Sequence, residues 1–127
     1  MADEASPVGL WKTIDDKTHK PRGTVRIYEK NGAYFGRIES SFNPAERNEI
    51  CDKCPGDRKD KPVMGLEILR GMMKHGEEYT GGEILDPETG TVYKCRFTLS
   101  GDGEMLLIRG YFVVPVLGRT QVWMREE

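Results

Sequence analysis

The sequence has no long apolar run and no strong excess of one charge. No apolar stretch approaches the roughly 18 residues that a membrane-spanning helix needs. Its 19 Lys and Arg residues and 21 Asp and Glu residues are interspersed and give a net charge of −2. Phosphate binding normally leaves a positive stripe or patch, which this distribution does not form. We therefore expect neither a membrane span nor a nucleic-acid partner.

The chain also has few of the residues from which catalytic and metal sites are built. It contains two histidines and three cysteines, and neither His19 nor His75 lies in an obviously strand-facing position beside a nucleophile. Capping and solubility explain the carboxylates of loops and turns without acid–base chemistry. We expect no enzyme activity, no cofactor and no bound metal.

Turn signals, by contrast, are frequent. Fifteen glycines and seven prolines favour many turns between short strands, which is typical of all-β proteins. Asn31-Gly32 is among the strongest hairpin signals and separates two strand-like runs. The segments Asp86–Gly90 and Ser100–Gly103 predict two further tight turns.

The run Thr91–Leu99 shows the two-residue period of a strand. Tyr93, Cys95 and Phe97 share one face, whereas Lys94 and other polar residues share the opposite face. A strand of this kind packs over an interior on one side only, which is typical of an antiparallel sheet.

The same pattern predicts eight strands in sequential order. They are Val8–Ile14, Thr24–Glu29, Ala33–Ser41, Gly65–Lys74, Glu78–Leu85, Thr91–Leu99, Met105–Gly110 and Arg119–Arg125. Closing such a sheet removes its two unpaired edges. We predict an all-β fold, an eight-stranded antiparallel up-and-down β-barrel, formed by residues 8–127 as a single domain after a disordered leader, residues 1–7.

Two connections stand out from the short turns. Phe42–Pro62 is a polar segment of about twenty residues, and a loop this long in a compact domain is usually functional or constrained. Phe112–Leu117 is apolar and interrupted by Pro115, and its exposure would favour an interaction surface.

Cys51 and Cys54 have three possible roles. A thioredoxin-like redox motif needs its first cysteine at a helix N-terminus in a βαβ setting, whereas this pair lies in a loop of an all-β chain. A zinc site would need two more ligands, and no ligand-type spacing supplies them. We favour a local disulfide that stiffens the loop in an oxidising compartment. Cys95 is expected to act as a small buried hydrophobe.

The interior of an eight-stranded barrel is either filled by side chains or holds one small ligand. Aromatic and methionine side chains suit a mostly apolar ligand, and tyrosine hydroxyls can orient it. The candidate cavity wall is Tyr28, Tyr34, Ile38, Tyr93, Cys95, Phe97 and Met105. A continuous dry pocket above about 300 Å³ would favour a ligand carrier over a filled barrel. Arg109 is expected to face solvent, because Leu106 and Ile108 face inward.

Both ends of the chain carry a motif that resembles the calycin superfamily of lipocalins and their relatives. Gly9-x-Trp11 opens the first strand and Trp123-x-Arg125 closes the last. The resemblance implies that an arginine from near the C-terminus stacks on the first-strand tryptophan and plugs one end of the barrel, as a cation–π contact. Gly9, Trp11, Trp123 and Arg125 are therefore expected to be structural elements of barrel closure.

A closer resemblance spans nearly the whole chain. The motifs that carry it are GLW, the C-x-x-C-x-G loop before KPVMGLEIL, GGEILDPETGTVYKC, LIRGY and LGRTQVWMR. In combination they resemble the bacterial domain-of-unknown-function family 2147, which implies a small exported protein with a lipocalin-like barrel and no established biochemical activity. The N-terminus shows no signal-peptide core, so the periplasmic or secreted location that the resemblance implies presumes a signal peptide absent from this chain.

Two functions are compatible with these features. The first is an exported, non-enzymatic barrel that binds a small, mostly apolar molecule in its interior, with access shaped by the Phe42–Pro62 loop. The second is a cell-envelope interaction module with a filled barrel, which contacts an envelope protein or polymer through that loop and Phe112–Leu117. A redox enzyme that uses Cys51 and Cys54 is a third, less favoured function.

Overall fold

The protein forms a closed β-barrel in a computed structural model that describes residues 6–15, 17–112 and 118–127. Its strands are β1 (Gly9–Ile14), β2 (Pro21–Lys30), β3 (Ala33–Ser41), β4 (Glu67–His75), β5 (Glu78–Asp86), β6 (Thr91–Leu99), β7 (Met105–Tyr111) and β8 (Arg119–Arg125). Two short 3-10 helices, Pro44–Asn48 and Gly56–Arg58, lie between β3 and β4. Each strand pairs antiparallel with the next, and β8 pairs with β1. The predicted eight-stranded up-and-down barrel is confirmed.

The β2–β3 hairpin follows directly from its turn residues. Asn31 and Gly32 have φ values of 54° and 82°, and Lys30 pairs with Ala33 across the two-residue loop. Positive φ at both central positions is the requirement of a type I′ turn, whose twist matches that of the flanking strands. The Asn-Gly signal therefore sets the register in which Val25 and Ile27 enter the barrel interior.

Two strands begin more than one residue away from their predicted starts. β2 begins at Pro21 instead of Thr24, because its first residues pair with the end of β1, where Ile14 lies opposite Pro21. β4 begins at Glu67 instead of Gly65, because Gly65 adopts a φ of 85° in the turn that precedes the strand. Local sequence signals do not reveal pairings made across the sheet.

The two ends of the barrel differ. The turns β2–β3, β4–β5 and β6–β7 meet the two termini at one end, which we call the closed end. The connections β1–β2, β3–β4, β5–β6 and β7–β8 meet at the other, which we call the open end. This division follows from the alternating direction of eight sequential strands.

The interior near the closed end is filled with large side chains. Tyr79 stacks on Phe97 with ring centroids 4.7 Å apart, and Tyr34 meets Tyr79 edge-on at 5.2 Å. Leu69 and Met72 are fully buried beside them. Aromatic pairs in these geometries add to the stabilisation from buried area alone.

Arg125 seals the closed end. Its guanidinium carbon lies 4.4 Å from the centroid of the Trp11 ring, so the contact that the calycin resemblance implied is present. Its nitrogens also donate to three backbone carbonyls, those of Gly103 at 2.7 Å, Val8 at 3.0 Å and Ser6 at 2.5 Å. One planar side chain thus joins the first strand, the last strand and the β6–β7 turn.

Pro7 and Gly9 also take part in sealing the closed end. The indole nitrogen of Trp11 donates to the carbonyl of Pro7 at 2.8 Å, and Pro7 is buried. A Cβ at Gly9 would lie 2.4 Å from the carbonyl oxygen of Glu127, so the close approach of the C-terminus needs glycine there. Ser6 and Pro7, assigned to a disordered leader from the sequence, are therefore packed onto the barrel.

Replacing Arg125 by methionine should lower the free energy of unfolding by about 2 kcal/mol, because three carbonyls lose a charged donor and Trp11 loses its cation. The measurement is urea denaturation followed by circular dichroism. Arg96→Met is the matched control, since the Arg96 guanidinium forms only an exposed pair with Glu78 at 3.5 Å and should cost less than about 1 kcal/mol. Equal losses for the two variants would contradict the sealing role of Arg125.

Candidate functional site

The open end of the barrel contains a cavity of about 360 Å³. Apolar side chains from five strands and the β3–β4 connection line much of it, namely Val25, Ile38, Val63, Met64, Ile68, Ile84 and Ile108. Trp123, which is 1% exposed, also lines it. The volume falls in the range of about 300–1,000 Å³ that small-molecule sites occupy.

Polar groups occupy separate positions on this wall. The hydroxyl oxygens of Thr24 and Ser40 lie 2.6 Å apart and form one hydrogen bond. The side-chain oxygen of Gln121 accepts a hydrogen bond from the indole nitrogen of Trp123 at 3.1 Å. Tyr93 also lines the cavity, and its ring packs against Phe112 with centroids 4.8 Å apart. The site therefore combines an apolar wall with polar and charged groups.

Charged residues of both signs surround the entrance. They are Asp15, Lys17, Arg22, Glu46, Asp86, Glu88 and Arg119. Arg22 forms an ion pair with Glu88, which links the start of β2 to the β5–β6 connection across the entrance. An exposed pair of this kind contributes little stability.

Two of the entrance carboxylates have local structural roles. Asp15 accepts hydrogen bonds from the backbone amides of Thr18 and Lys17 at 2.9 and 2.8 Å, and these bonds hold its pKa below the usual value. Asp86 accepts from the backbone amide of Glu88 at 2.9 Å. Both are Asx turns that shape their loops.

The seven residues of the expected cavity wall fall into three groups. Ile38 and Tyr93 line the cavity. Tyr34, Cys95 and Phe97 face the interior but pack into the hydrophobic core. Tyr28 and Met105 lie on the outside of the barrel, so the placement of these two was wrong.

Tyr28 lies outside because of strand alternation in β2. Val25 and Ile27 are buried inside, which turns Tyr28 outward. Its hydroxyl donates to Glu67 at 2.6 Å, and its ring stacks on Phe35 with centroids 5.9 Å apart. Burial and the bond to Glu67 raise the pKa of Tyr28 to about 12.

Met105 lies outside for the same reason. Leu106 and Ile108 are almost fully buried in β7, so Met105 alternates outward and pairs with Met124 of β8. Arg109 also faces outward, as expected, and donates to the hydroxyl of Thr120 at 2.6 Å.

The polar residues of the cavity were missed, although the sequence held a signal for some of them. Arg119, Gln121 and Trp123 recur every second residue in β8 and share the face that lines the cavity. Neither face of β8 looks apolar, so the pattern did not identify the inner one. Only the pairing of Leu106 with Trp123 shows which face is inside.

Cys51 and Cys54 form a disulfide, with Cα atoms 5.3 Å apart. Both residues are at most 2% exposed, and the sulfur of Cys51 lies 3.5 Å from the carbonyl oxygen of Pro87. Cys95 is the free thiol of the described chain, and burial raises its pKa to about 12. A thiol held protonated is a poor nucleophile. The described residues contain no cluster of potential metal ligands.

The centre of the β3–β4 loop docks on the outer surface of the barrel. Arg58, which is 5% exposed, donates to the backbone carbonyl of Glu67 at 3.0 Å and to the carboxylate of Glu83 at 3.2 Å. Asp57 accepts from Arg70 at 2.8 Å, and this bond lowers the pKa of Asp57 to about 2. Within Phe42–Pro62 only Glu46 lines the cavity, together with Val63 and Met64 just after the region.

Comparisons with known proteins agree with this architecture. The sequence profile of a family described as an uncharacterised protein conserved in bacteria, DUF2147, matches residues 9–125. The chain is similar to a solved structure from Helicobacter pylori, the protein HP1028, described as belonging to the lipocalin family. The TM-score is 0.83 at 20% identity, over 98% of this chain and 85% of that one. No curated protein matches the sequence. Within the described residues, no helix has the length and apolar character of a membrane span.

Thiol titration tests the Cys51–Cys54 disulfide and the burial of Cys95. The native, unreduced protein should react with less than one equivalent of a thiol reagent, because Cys95 is buried and Cys51 and Cys54 are joined. In denaturant one thiol should react, and after reduction all three cysteines should. Three reactive thiols in unreduced, denatured protein would contradict the disulfide.

The contacts of Tyr28 predict that its phenol loses its proton at an unusually high pH. The folded-state pKa of about 12 exceeds the ordinary value of 10.0, so the contribution of Tyr28 to stability is complete below the unfolded pKa and is lost as the pH rises through 12. Tyr28→Phe should remove one phenol step near pH 12 from an ultraviolet absorbance titration of the five tyrosines. An unchanged high-pH step in that variant would show that Glu67 does not hold the phenol.

Proposed function

This chain belongs to the family of uncharacterised proteins conserved in bacteria, DUF2147, and we propose that it binds one small, mostly apolar molecule in the open end of its barrel. The observation that carries the proposal is the cavity of about 360 Å³, bounded by apolar side chains and open at one end. The barrel is filled only towards its closed end, where aromatic rings pack together.

The fold supports an interior site. An eight-stranded barrel is just wide enough to hold one small ligand, as lipocalins do, and HP1028, which has a similar fold, is described as a member of the lipocalin family. Apolar surface left facing water inside the barrel would gain from contact with an apolar ligand by about 25 cal/mol per Å² buried. In this proposal, Trp11 and Arg125 stabilise the barrel at its closed end, and the ligand binds at the open end.

The proposal does not include catalysis. The buried disulfide and the protonated Cys95 thiol offer no reactive sulfur at the cavity. We further propose that the protein is a single domain and works in an oxidising compartment, the periplasm or the exterior, where the Cys51–Cys54 bond persists.

A second candidate is an interaction module of the cell envelope. It is favoured by two apolar side chains of the β3–β4 loop that are about half exposed, Phe42 at 51% and Ile50 at 52%. The Phe112–Leu117 segment was expected to take part, but residues 113–117 lie outside the described residues. A barrel that takes up no apolar molecule would leave this candidate as the better one.

Titration with N-phenyl-1-naphthylamine, a neutral dye that brightens in apolar surroundings, tests the binding site. We expect saturation at one dye per protein. Ile38→Trp should weaken binding about tenfold or more, because the larger side chain occupies the cavity.

Leu107→Trp is the matched control, since Leu107 is 42% exposed on the outside of β7, where the same substitution leaves the cavity unchanged. Thermal unfolding of both variants checks that they are folded. Absence of dye binding to the wild type, or equal binding to the two folded variants, would overturn the proposed site.

A further inference from the structure

The wall of the cavity formed by β8 contains a hydrogen-bond donor with a defined direction. Gln121 lies on the inner face, between Arg119 and Trp123, and pairs with the buried Ile108 of β7. It is nevertheless exposed. Because the Gln121 side chain lines the cavity, its exposed surface faces the cavity.

Trp123 determines which end of the Gln121 carboxamide faces the cavity. An indole N–H can only donate a hydrogen bond, so its partner at 3.1 Å is the carboxamide oxygen. The amide nitrogen, which carries two N–H donors, is then directed away from Trp123. Among the described residues no hydrogen bond from this nitrogen is recorded. The orientation is fixed because only the carboxamide oxygen can accept a hydrogen bond from the indole N–H.

Several other polar groups on the wall are already hydrogen-bonded. Thr24 and Ser40 bond to one another. Asp15 and Asp86 bind backbone amides of their own loops. Gln121 therefore presents a donor on this wall that a ligand can use without breaking the bond to Trp123.

The charges around the cavity indicate whether that ligand is neutral or anionic. Lys17, Arg22 and Arg119 face four carboxylates, those of Asp15, Glu46, Asp86 and Glu88, and Arg22 is already paired with Glu88. The lining thus offers no net positive charge to offset the cost of removing an anion from water. A neutral acceptor avoids that cost.

Building on the proposed function, we propose that the ligand is a neutral, mostly apolar molecule with a carbonyl-type oxygen, and that this oxygen accepts a hydrogen bond from the side-chain amide of Gln121. Its apolar body packs against Val25, Ile38, Ile68 and Ile84. Ketones, esters and amides share this acceptor chemistry. In this arrangement Trp123 acts as a positioning residue, since it sets the direction of the amide without needing to touch the acceptor.

The test uses 6-propionyl-2-dimethylaminonaphthalene, a neutral ketone dye whose emission shifts to the red when its carbonyl accepts a hydrogen bond. Gln121→Glu is the informative variant, because a carboxylate still accepts from Trp123 but has no N–H to donate. We expect the ketone dye to bind this variant about five- to tenfold more weakly, the loss of one hydrogen bond, with emission shifted to the blue. Gln121→Met should have a similar effect on the dye without adding charge.

Val122→Glu is the control for added charge, since Val122 is the next residue of β8 and lies on its outer face. It should leave the emission of the bound ketone dye unchanged. N-Phenyl-1-naphthylamine lacks a carbonyl and should bind wild type and Gln121→Met with equal affinity. Its anionic counterpart 8-anilino-1-naphthalenesulfonate should bind the wild type more weakly than the neutral dye.

The outcomes separate the two proposals. If neither neutral dye binds the wild type, the proposed function fails. If both bind but the affinity and emission of the ketone dye are the same in the wild type and both Gln121 variants, the acceptor site is overturned while the binding function stands. Tighter binding of the sulfonate than of its neutral counterpart would overturn the assignment of a neutral ligand.

Discussion

The pairing of β1 with β8 is the constraint on which the rest of the structure depends. Without it the sheet would have two unpaired edges and no inside. The ladder is short and joins Trp11 to Arg125, Lys12 to Met124 and Thr13 to Trp123. Side chains reinforce it, because the guanidinium of Arg125 covers the Trp11 ring and binds three carbonyls, two before β1 and one in the β6–β7 turn. Closure thus combines backbone pairing with one cation–π contact.

Closure also divides the interior into a filled half and a half that contains the cavity. Tight turns and the chain termini gather at the closed end, where Tyr34, Tyr79 and Phe97 fill the space. The cavity lies at the open end, where residues of β2, the β3–β4 connection and the β5–β6 connection line it. Stability and binding can therefore be altered separately, because a substitution at the open end leaves the Arg125 plug intact.

The long β3–β4 loop stabilises the outside of the barrel more than it covers the cavity. The disulfide, the buried Arg58 and the pair of Asp57 with Arg70 all hold its centre against the outer surface. The Phe42–Pro62 loop was expected to shape ligand access, but only Glu46 of this region lines the cavity, with Val63 and Met64 following it. Its length reflects the distance it travels over the surface.

Local sequence signals were sufficient to predict the strands and the Asn31-Gly32 hairpin, because turn chemistry and two-residue periodicity act between neighbours along the chain. They also predicted the disulfide, whose two cysteines are close in sequence. They were sufficient for Tyr93 and Ile38, which alternate with clearly outward neighbours. They were not sufficient for Tyr28 and Met105, because an aromatic or thioether side chain suits either face of a strand that is half covered on both.

By itself, then, the sequence determined an all-β chain of eight sequential strands and the motifs that seal the barrel. Only the tertiary structure decided which half of the interior is filled, which face of β8 lines the cavity, and that Trp123 directs the amide of Gln121. The physical reason is that these features depend on strand register around a closed circle, where residues far apart in sequence become neighbours.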